Sequence, residues 1–189
     1  LYPDQQHSGR TPNCLMPWPG EKYFAGTGQT NCRGMQTVDG VLYALFERNL
    51  YRIENNGLAI VVGEVPGSSR VSMGTDGRLL FIRIEGTVAY INQKIILQGN
   101  GLTYAFDPDA SDDVFLRAVN FPQMLDDEFV VSEVGNTTEF SLNNKAPANL
   151  SSDGLKQVYV FQQKVIMLGE DSIQFFYDGP AGPTPTIVP

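Results

Sequence analysis

The sequence predicts an all-β protein made of consecutive four-stranded antiparallel meander sheets. Three observations carry that expectation. The 19 glycines and 12 prolines stand beside 11 phenylalanines and 8 tyrosines, a mixture that favours short strands and tight turns over long helices. Short β-type runs recur between Asp-Gly and Asn-Gly pairs, which supply the positive φ of two-residue hairpin turns. The pattern also returns with a shift of 37 residues, from Asp39-Gly40 to Asp76-Gly77.

Residues 1–31 show neither helical nor strand period. Proline, glycine and polar residues alternate there with isolated aromatics, and the segment reads as an extended arm. Tyr2, Trp18, Tyr23 and Phe24 are its candidates for packing on the sheets or on a neighbouring subunit. The first sheet is expected over 32–62, with turns at Asp39-Gly40, Arg48-Asn49 and Asn55-Asn56-Gly57.

A second unit is expected over 70–98, with turns at Asp76-Gly77, Glu85-Gly86 and Asn92-Gln93. Leu50-Tyr51-Arg52-Ile53 falls over Val88-Ala89-Tyr90-Ile91 in that alignment, with one extra residue. Weaker copies are placed at 114–142, after a long loop over 99–113, and at 158–189, after a loop over 143–156. A four-stranded unit of about 37 residues matches the blade of a β-propeller. Leu42, Ala44 and Phe46 alternate with Val41, Tyr43 and Leu45, and Leu79 to Ile84 is apolar on both faces apart from Arg83. Strands of that kind need a layer on each side, which stacked blades supply. A two-sheet sandwich ranks second, because it usually leaves one polar face.

The formal net charge is −8, from 13 basic and 21 acidic side chains. Such a field repels phosphate and argues against sequence-reading nucleic-acid binding. It does not exclude a conduit, whose wall works better when it does not grip the backbone. Cys14 and Cys32 are too far apart for a metal-type pair and too few for a disulfide framework, so both read as free thiols. No apolar run approaches the roughly 18 residues of a membrane helix, so no membrane anchor is expected.

Catalytic chemistry is not legible. The single histidine, His7, lies in the arm with no nucleophile motif around it. Gly26-Thr27-Gly28-Gln29 lacks the third glycine and lysine of a phosphate loop and reads as a turn. The loop holding Asp107, Asp109, Asp112 and Asp113 has spaced carboxylates, but Asp112 stands where a calcium loop needs glycine and Ala118 where it needs glutamate. These aspartates read as a solvated acidic loop. Asn136-Thr137-Thr138 and Asn149-Leu150-Ser151 match glycosylation acceptors by chance, since no secretion signal accompanies them. No metal or cofactor is expected, and the chain is not expected to be an enzyme.

Read in order, several short motifs resemble the packaged-DNA stabilisation proteins of short-tailed bacteriophages, also called tail accessory or nozzle proteins. They are Leu1-Tyr2-Pro3, Pro19-Gly20, Arg33-Gly34-Met35, Gly40-Val41-Leu42-Tyr43, Leu50-Tyr51-Arg52-Ile53, Val71-Ser72-Met73, Phe121 and Phe129-Val130. Leu168-Gly169-Glu170-Asp171-Ser172-Ile173-Gln174-Phe175-Phe176-Tyr177, followed by Gly179, is the most specific stretch. Asp126-Asp127 departs from the pattern, replacing an Asp-Gly turn in the third unit.

The resemblance implies a virion tail protein assembled in the host cytoplasm. It would form a homo-hexameric ring below the head-to-tail adaptor of the portal assembly, carry tail fibres, spikes or a plug, and let double-stranded genomic DNA pass. It also implies a propeller-bearing protein longer than this chain, which would then be its N-terminal part; the apolar stub Thr186-Ile187-Val188-Pro189 fits that expectation. On the same reading the four aspartates become candidates for an acidic channel wall. The alternative is a carbohydrate-binding or glycan-processing propeller, with Trp18 and Tyr90 stacking on sugars. That alternative needs arginines and carboxylates converging at one end of the blades, a set the sequence does not reveal.

Overall fold

The computed structural model describes residues 2–3, 15–16, 25–110, 116–148, 153–178 and 187–188. It is all-β, and its one helical turn among these residues is the 3-10 turn Leu142–Asn144. Two short strands, β1 (Tyr2–Pro3) and β2 (Leu15–Met16), pair antiparallel within the arm. The rest of the arm up to residue 24, with Trp18, Tyr23, Phe24, His7 and Cys14, lies outside the described residues.

The first sheet is the expected meander. Strands β3 (Cys32–Val38), β4 (Val41–Phe46), β5 (Asn49–Ile53) and β6 (Ala59–Glu64) pair in sequence order. Asp39 and Gly40 take φ of 45° and 77° in the first turn, the left-handed geometry that an Asp-Gly pair favours. The next reversal sits one residue earlier than expected, at Glu47-Arg48, where Glu47 has φ of 50°.

The middle of the chain departs from the expected unit over 70–98. Strands β7 (Val71–Thr75) and β8 (Leu80–Ile84) form a hairpin, and β9 (Thr87–Ile91) and β10 (Lys94–Gln98) form another. Those hairpins belong to different sheets. The second sheet is completed by β11 (Thr103–Phe106) and β12 (Leu116–Ala118), in the order β12-β11-β8-β7. The third is completed by β13 (Glu128–Val131) and β14 (Lys145–Pro147), in the order β14-β13-β10-β9. Glu85-Gly86 is therefore a crossing between sheets, and the segments 99–113 and 143–156, expected as loops, contain β11 and β14. No single blade spans 114–142.

The fourth sheet returns to a meander of β15 (Leu155–Phe161), β16 (Lys164–Gly169), β17 (Ile173–Asp178) and β18 (Ile187–Val188). Its first turn, Gln162-Gln163, has φ of 47° and 64°, matching Asn92-Gln93 at 44° and 64°.

The sheets stack face to face in sequence order. Tyr43, Leu45 and Leu50 of the first pack on Leu80, Ile82 and Phe106 of the second. The opposite face of the second, with Leu79, Phe81 and Ala105, packs on Val88, Ile95, Leu97 and Val130 of the third. The opposite face of the third, with Ile91, Ile96 and Phe129, packs on Val158, Val165, Met167 and Phe176 of the fourth. Strands β8 and β10 are buried along their whole length, as two-sided apolar strands require. The edge strands β3, β7, β9 and β15 run side by side and bring the sheets closest together. This is an open fan of blades hinged along their first strands.

Candidate functional site

Among the described residues no catalytic constellation is seen, and the prominent features are the junctions that lock one blade to the next and the surfaces left open. Two of the three junctions hold a buried arginine. Arg33 on β3 is 2% exposed. Its guanidinium donates to the backbone oxygens of Ser69 (2.7 Å), Glu47 (2.8 Å), Pro66 (2.9 Å) and Val65 (3.0 Å). It thereby gathers the linker from the first blade to the second. Burial lowers its pKa, with the Glu47 carboxylate opposing that shift.

Arg83 on β8 is fully buried. Its Nε donates to the Gln98 carbonyl at 2.8 Å, its Nη atoms donate to Thr103 Oγ1 and the Gly99 carbonyl, and its Cζ sits 4.5 Å over the ring centroid of Phe121. Loss of hydration pushes its pKa down to about 10, so it stays charged at neutral pH, and carbonyl oxygens with an aromatic face take the place of a carboxylate. The three hydrogen-bond acceptors lie where the chain leaves β10 and returns to the second sheet through 99–102. Backbone packing there is tight, since a Cβ on Gly101 would stand 1.7 Å from the Ile84 oxygen.

The third junction uses an ion pair. Lys94, first residue of β10, meets Asp178, last residue of β17, with side chains 5% and 10% exposed. Asn92 Nδ2 donates to the other Asp178 oxygen at 2.7 Å, and Gln98 Nε2 donates to the Leu155 carbonyl at 2.6 Å. Hydroxyls bridge the first strands as well, where Ser72 Oγ accepts from the Val88 N–H at 3.1 Å and Thr87 Oγ1 accepts from the Val158 N–H at 2.9 Å.

The aspartates singled out in the sequence are only partly within view. Asp107 Oδ2 lies 3.5 Å from Arg78 Nη2, and its Oδ1 accepts the Asp109 N–H at 3.1 Å. Asp109 is exposed and borders a cleft of about 380 Å³ with Tyr43, Arg52, Glu54 and Arg78. Asp112 and Asp113 fall outside the described residues. Arg52 and Glu54 pair at 2.8 Å, so the described surface here is mixed in charge. Among the described residues no group of three or more metal-type ligands converges. Cys32 is a free, exposed thiol.

A second cleft, of about 370 Å³ and sharing Arg78 with the one that Asp109 borders, gathers Asp76, Arg78, Tyr90, Arg117, Asn136 and Thr137. This convergence of arginines and a carboxylate was not legible in the sequence, because its members come from the β7–β8 turn, strands β9 and β12, and the segment after β13. The carboxylate is committed to the fold. Asp76 Oδ1 accepts the Arg78 and Leu79 N–H groups at 2.9 and 2.6 Å, and Oδ2 accepts from Thr137 Oγ1 at 2.6 Å.

The buried arginines and the Lys94–Asp178 pair likewise escaped the sequence reading. Arg83 had a signal, as the one charge in a two-sided apolar strand.

A family model described as Bacteriophage P22 Gp10, beta-propeller, the phage stabilisation family, matches residues 1–182. No curated protein matches the sequence. Among solved structures, the computationally designed Ika4 protein has a TM-score of 0.45 at 8% identity, over 85% of this chain and 100% of that one. BamB from Moraxella catarrhalis has a TM-score of 0.38 at 10% identity, over 75% of this chain and 41% of its own. Likenesses at that level decide neither fold nor function.

Proposed function

The chain belongs to the phage stabilisation family of bacteriophage P22 Gp10, a β-propeller family of structural phage proteins, and from that premise we propose that it is a nozzle subunit of a short-tailed phage. In this reading it sits as one of six copies below the head-to-tail adaptor, retains the packaged DNA and guides its ejection. It works without catalysis, through interfaces with its own copies, the adaptor and the fibres, spikes or plug, in the tail of a particle assembled in the host cytoplasm.

The observation that carries this reading is the series of locked junctions. Buried cations caged by carbonyls, and a buried ion pair, resist sliding of one blade on the next, because any displacement leaves a charge unsolvated. Such stiffness suits a part that must hold against a pressurised genome. The net charge of −8 favours a wall that DNA slides past. The carbohydrate-directed alternative gains nothing from the Arg78–Arg117 cleft, where both Asp76 oxygens are engaged within the fold.

Reconstruction of the phage tail by electron microscopy tests the proposal, together with particles that lack the protein. The expected result is a ring of six below the adaptor and loss of packaged DNA when it is missing. A protein absent from the virion, or dispensable for genome retention, overturns it.

A further inference from the structure

Several exposed cations of this chain are taken up by carboxylates beside them: Arg48 meets Glu64 at 2.9 Å, Arg52 meets Glu54 at 2.8 Å and Lys156 meets Glu170 at 2.5 Å. Arg117, exposed on β12, makes no ion pair among the described residues, and its Nη2 donates only to Thr138 Oγ1 at 3.4 Å. It lines the cleft of about 370 Å³ together with Arg78. Arg78 is loosely held, with its side chain 68% exposed and Asp107 at 3.5 Å. The carboxylate within the cleft, Asp76, already accepts from the Arg78 and Leu79 N–H groups and from the Thr137 hydroxyl. Turning it toward the guanidinium groups would break those three bonds. Two cations therefore share one cleft with little of their charge compensated, on a chain of net charge −8.

Backbone groups stand open beside them. Sheet order leaves β12 at the edge of the second sheet. The Val119 N–H donates to the Thr103 carbonyl at 2.8 Å, and Ala118 stands opposite Tyr104. Alternation along an antiparallel strand then turns the Ala118 N–H and carbonyl away from β11, to the open edge. A groove of about 320 Å³ is bounded by Arg117, Ala118 and Asn120 on one side and by Thr138, Glu139 and Phe140 on the other. Arg117 and Thr138 line both hollows, which makes them one continuous groove. The outer edges of the first and third sheets differ, because Glu64 on β6 and Lys145 on β14 are each paired within their own blade.

We propose that this groove docks an extended acidic segment of a partner protein, which adds along the free edge of β12 and sets carboxylate side chains against Arg117 and Arg78. Main-chain pairing at the edge supplies affinity, and the arginines select carboxylates. A nucleic-acid occupant is disfavoured, because Asp76 and Glu139 line the groove and the net charge repels a phosphate chain. The inference goes beyond the nozzle reading and stands or falls independently of the chain's place in the tail.

The test titrates the full-length protein with fluorescein-labelled octapeptides of alternating valine and glutamate or of alternating valine and glutamine, and with a duplex oligonucleotide, by fluorescence anisotropy at low ionic strength. Expected is saturable binding of the glutamate peptide, at least about tenfold tighter than that of the glutamine peptide. Arg117→Gln should weaken it by about tenfold or more, whereas Arg48→Gln, outside the groove, should leave it unchanged. Hydrogen exchange at the Ala118 amide should slow by at least about tenfold when the glutamate peptide saturates the protein. No binding, equal binding of the two peptides, or binding insensitive to Arg117→Gln overturns the proposal. Unchanged exchange at Ala118 overturns strand addition, and duplex binding that depends on Arg117 while the glutamate peptide fails to bind assigns the groove to nucleic acid instead.

Discussion

Arg83 Nε donates to the Gln98 carbonyl across the boundary between the second and third sheets at 2.8 Å. A side chain, rather than a strand pair, thus fixes the point where the backbone leaves one blade and returns to the other. Replacing Arg83 with methionine keeps the volume and removes the donors, leaving buried carbonyls of Gln98 and Gly99 without them. The expected loss is about 3 kcal/mol in urea denaturation, with lysine recovering only part of it. A loss under about 0.5 kcal/mol would show that the cage has no structural weight.

The crossing has a steric requirement as well. Alanine at Gly101 would bring a Cβ to 1.7 Å from the Ile84 oxygen, backbone that cannot swing aside as a side chain can. At least about 2 kcal/mol should be lost, with the second sheet exchanging amide hydrogens before the first. Uniform exchange behaviour in the variant would argue that the crossing is not coupled to the second sheet.

The Lys94–Asp178 pair allows a double-mutant cycle. Asp178→Ala strands a buried ammonium and should cost about 3–5 kcal/mol, whereas Lys94→Met with Asp178→Leu should come within about 1 kcal/mol of the parent. If the double variant is as unstable as the single one, the junction depends on charge itself and not on closure of the site.

Acid stability should carry the mark of Glu128. Its side-chain hydrogen bond from Lys145 Nζ at 2.9 Å, followed by the one from the Leu125 N–H at 2.7 Å, holds its pKa below the ordinary 4.5. A carboxylate depressed on folding stabilises the protein above its unfolded pKa and loses that contribution as pH falls through the folded pKa. The difference between the parent and Glu128→Gln should therefore be constant above about pH 5 and shrink below pH 4.5. Chemical denaturation across that range checks it, and a gap independent of pH would contradict the assignment.

The arm can be tested by removing residues 1–31. Ala25 packs on the cluster of Ala44, Tyr51 and Ile53, the Asn31 carbonyl accepts the Glu47 N–H at 3.0 Å, and Asn31 Nδ2 reaches the Ser68 carbonyl at 3.3 Å. Deletion should lower the unfolding midpoint and impair assembly. Unchanged stability and intact rings would assign the arm no part in either.

Turns and strand extents between residues 32 and 98 were largely legible because they depend on a few neighbouring residues. Asp39-Gly40 takes the left-handed φ its sequence favours, and β4, apolar on both sides, is covered on both. Glu85-Gly86 looks the same locally, with Glu85 at φ of 54°, yet it joins two sheets instead of closing a hairpin. Strands β8 and β9 are each apolar on both faces, so no alternation of pattern selects β11 over β9 as the partner of β8. That choice falls to contacts distant in sequence, above all the carbonyl cage around Arg83 and the pairing of Lys94 with Asp178. The sequence by itself determined the all-β class, the hairpins and the absence of a legible catalytic motif. Only the tertiary structure decided which hairpins share a blade, because burying a charge requires partners that local chain geometry does not specify.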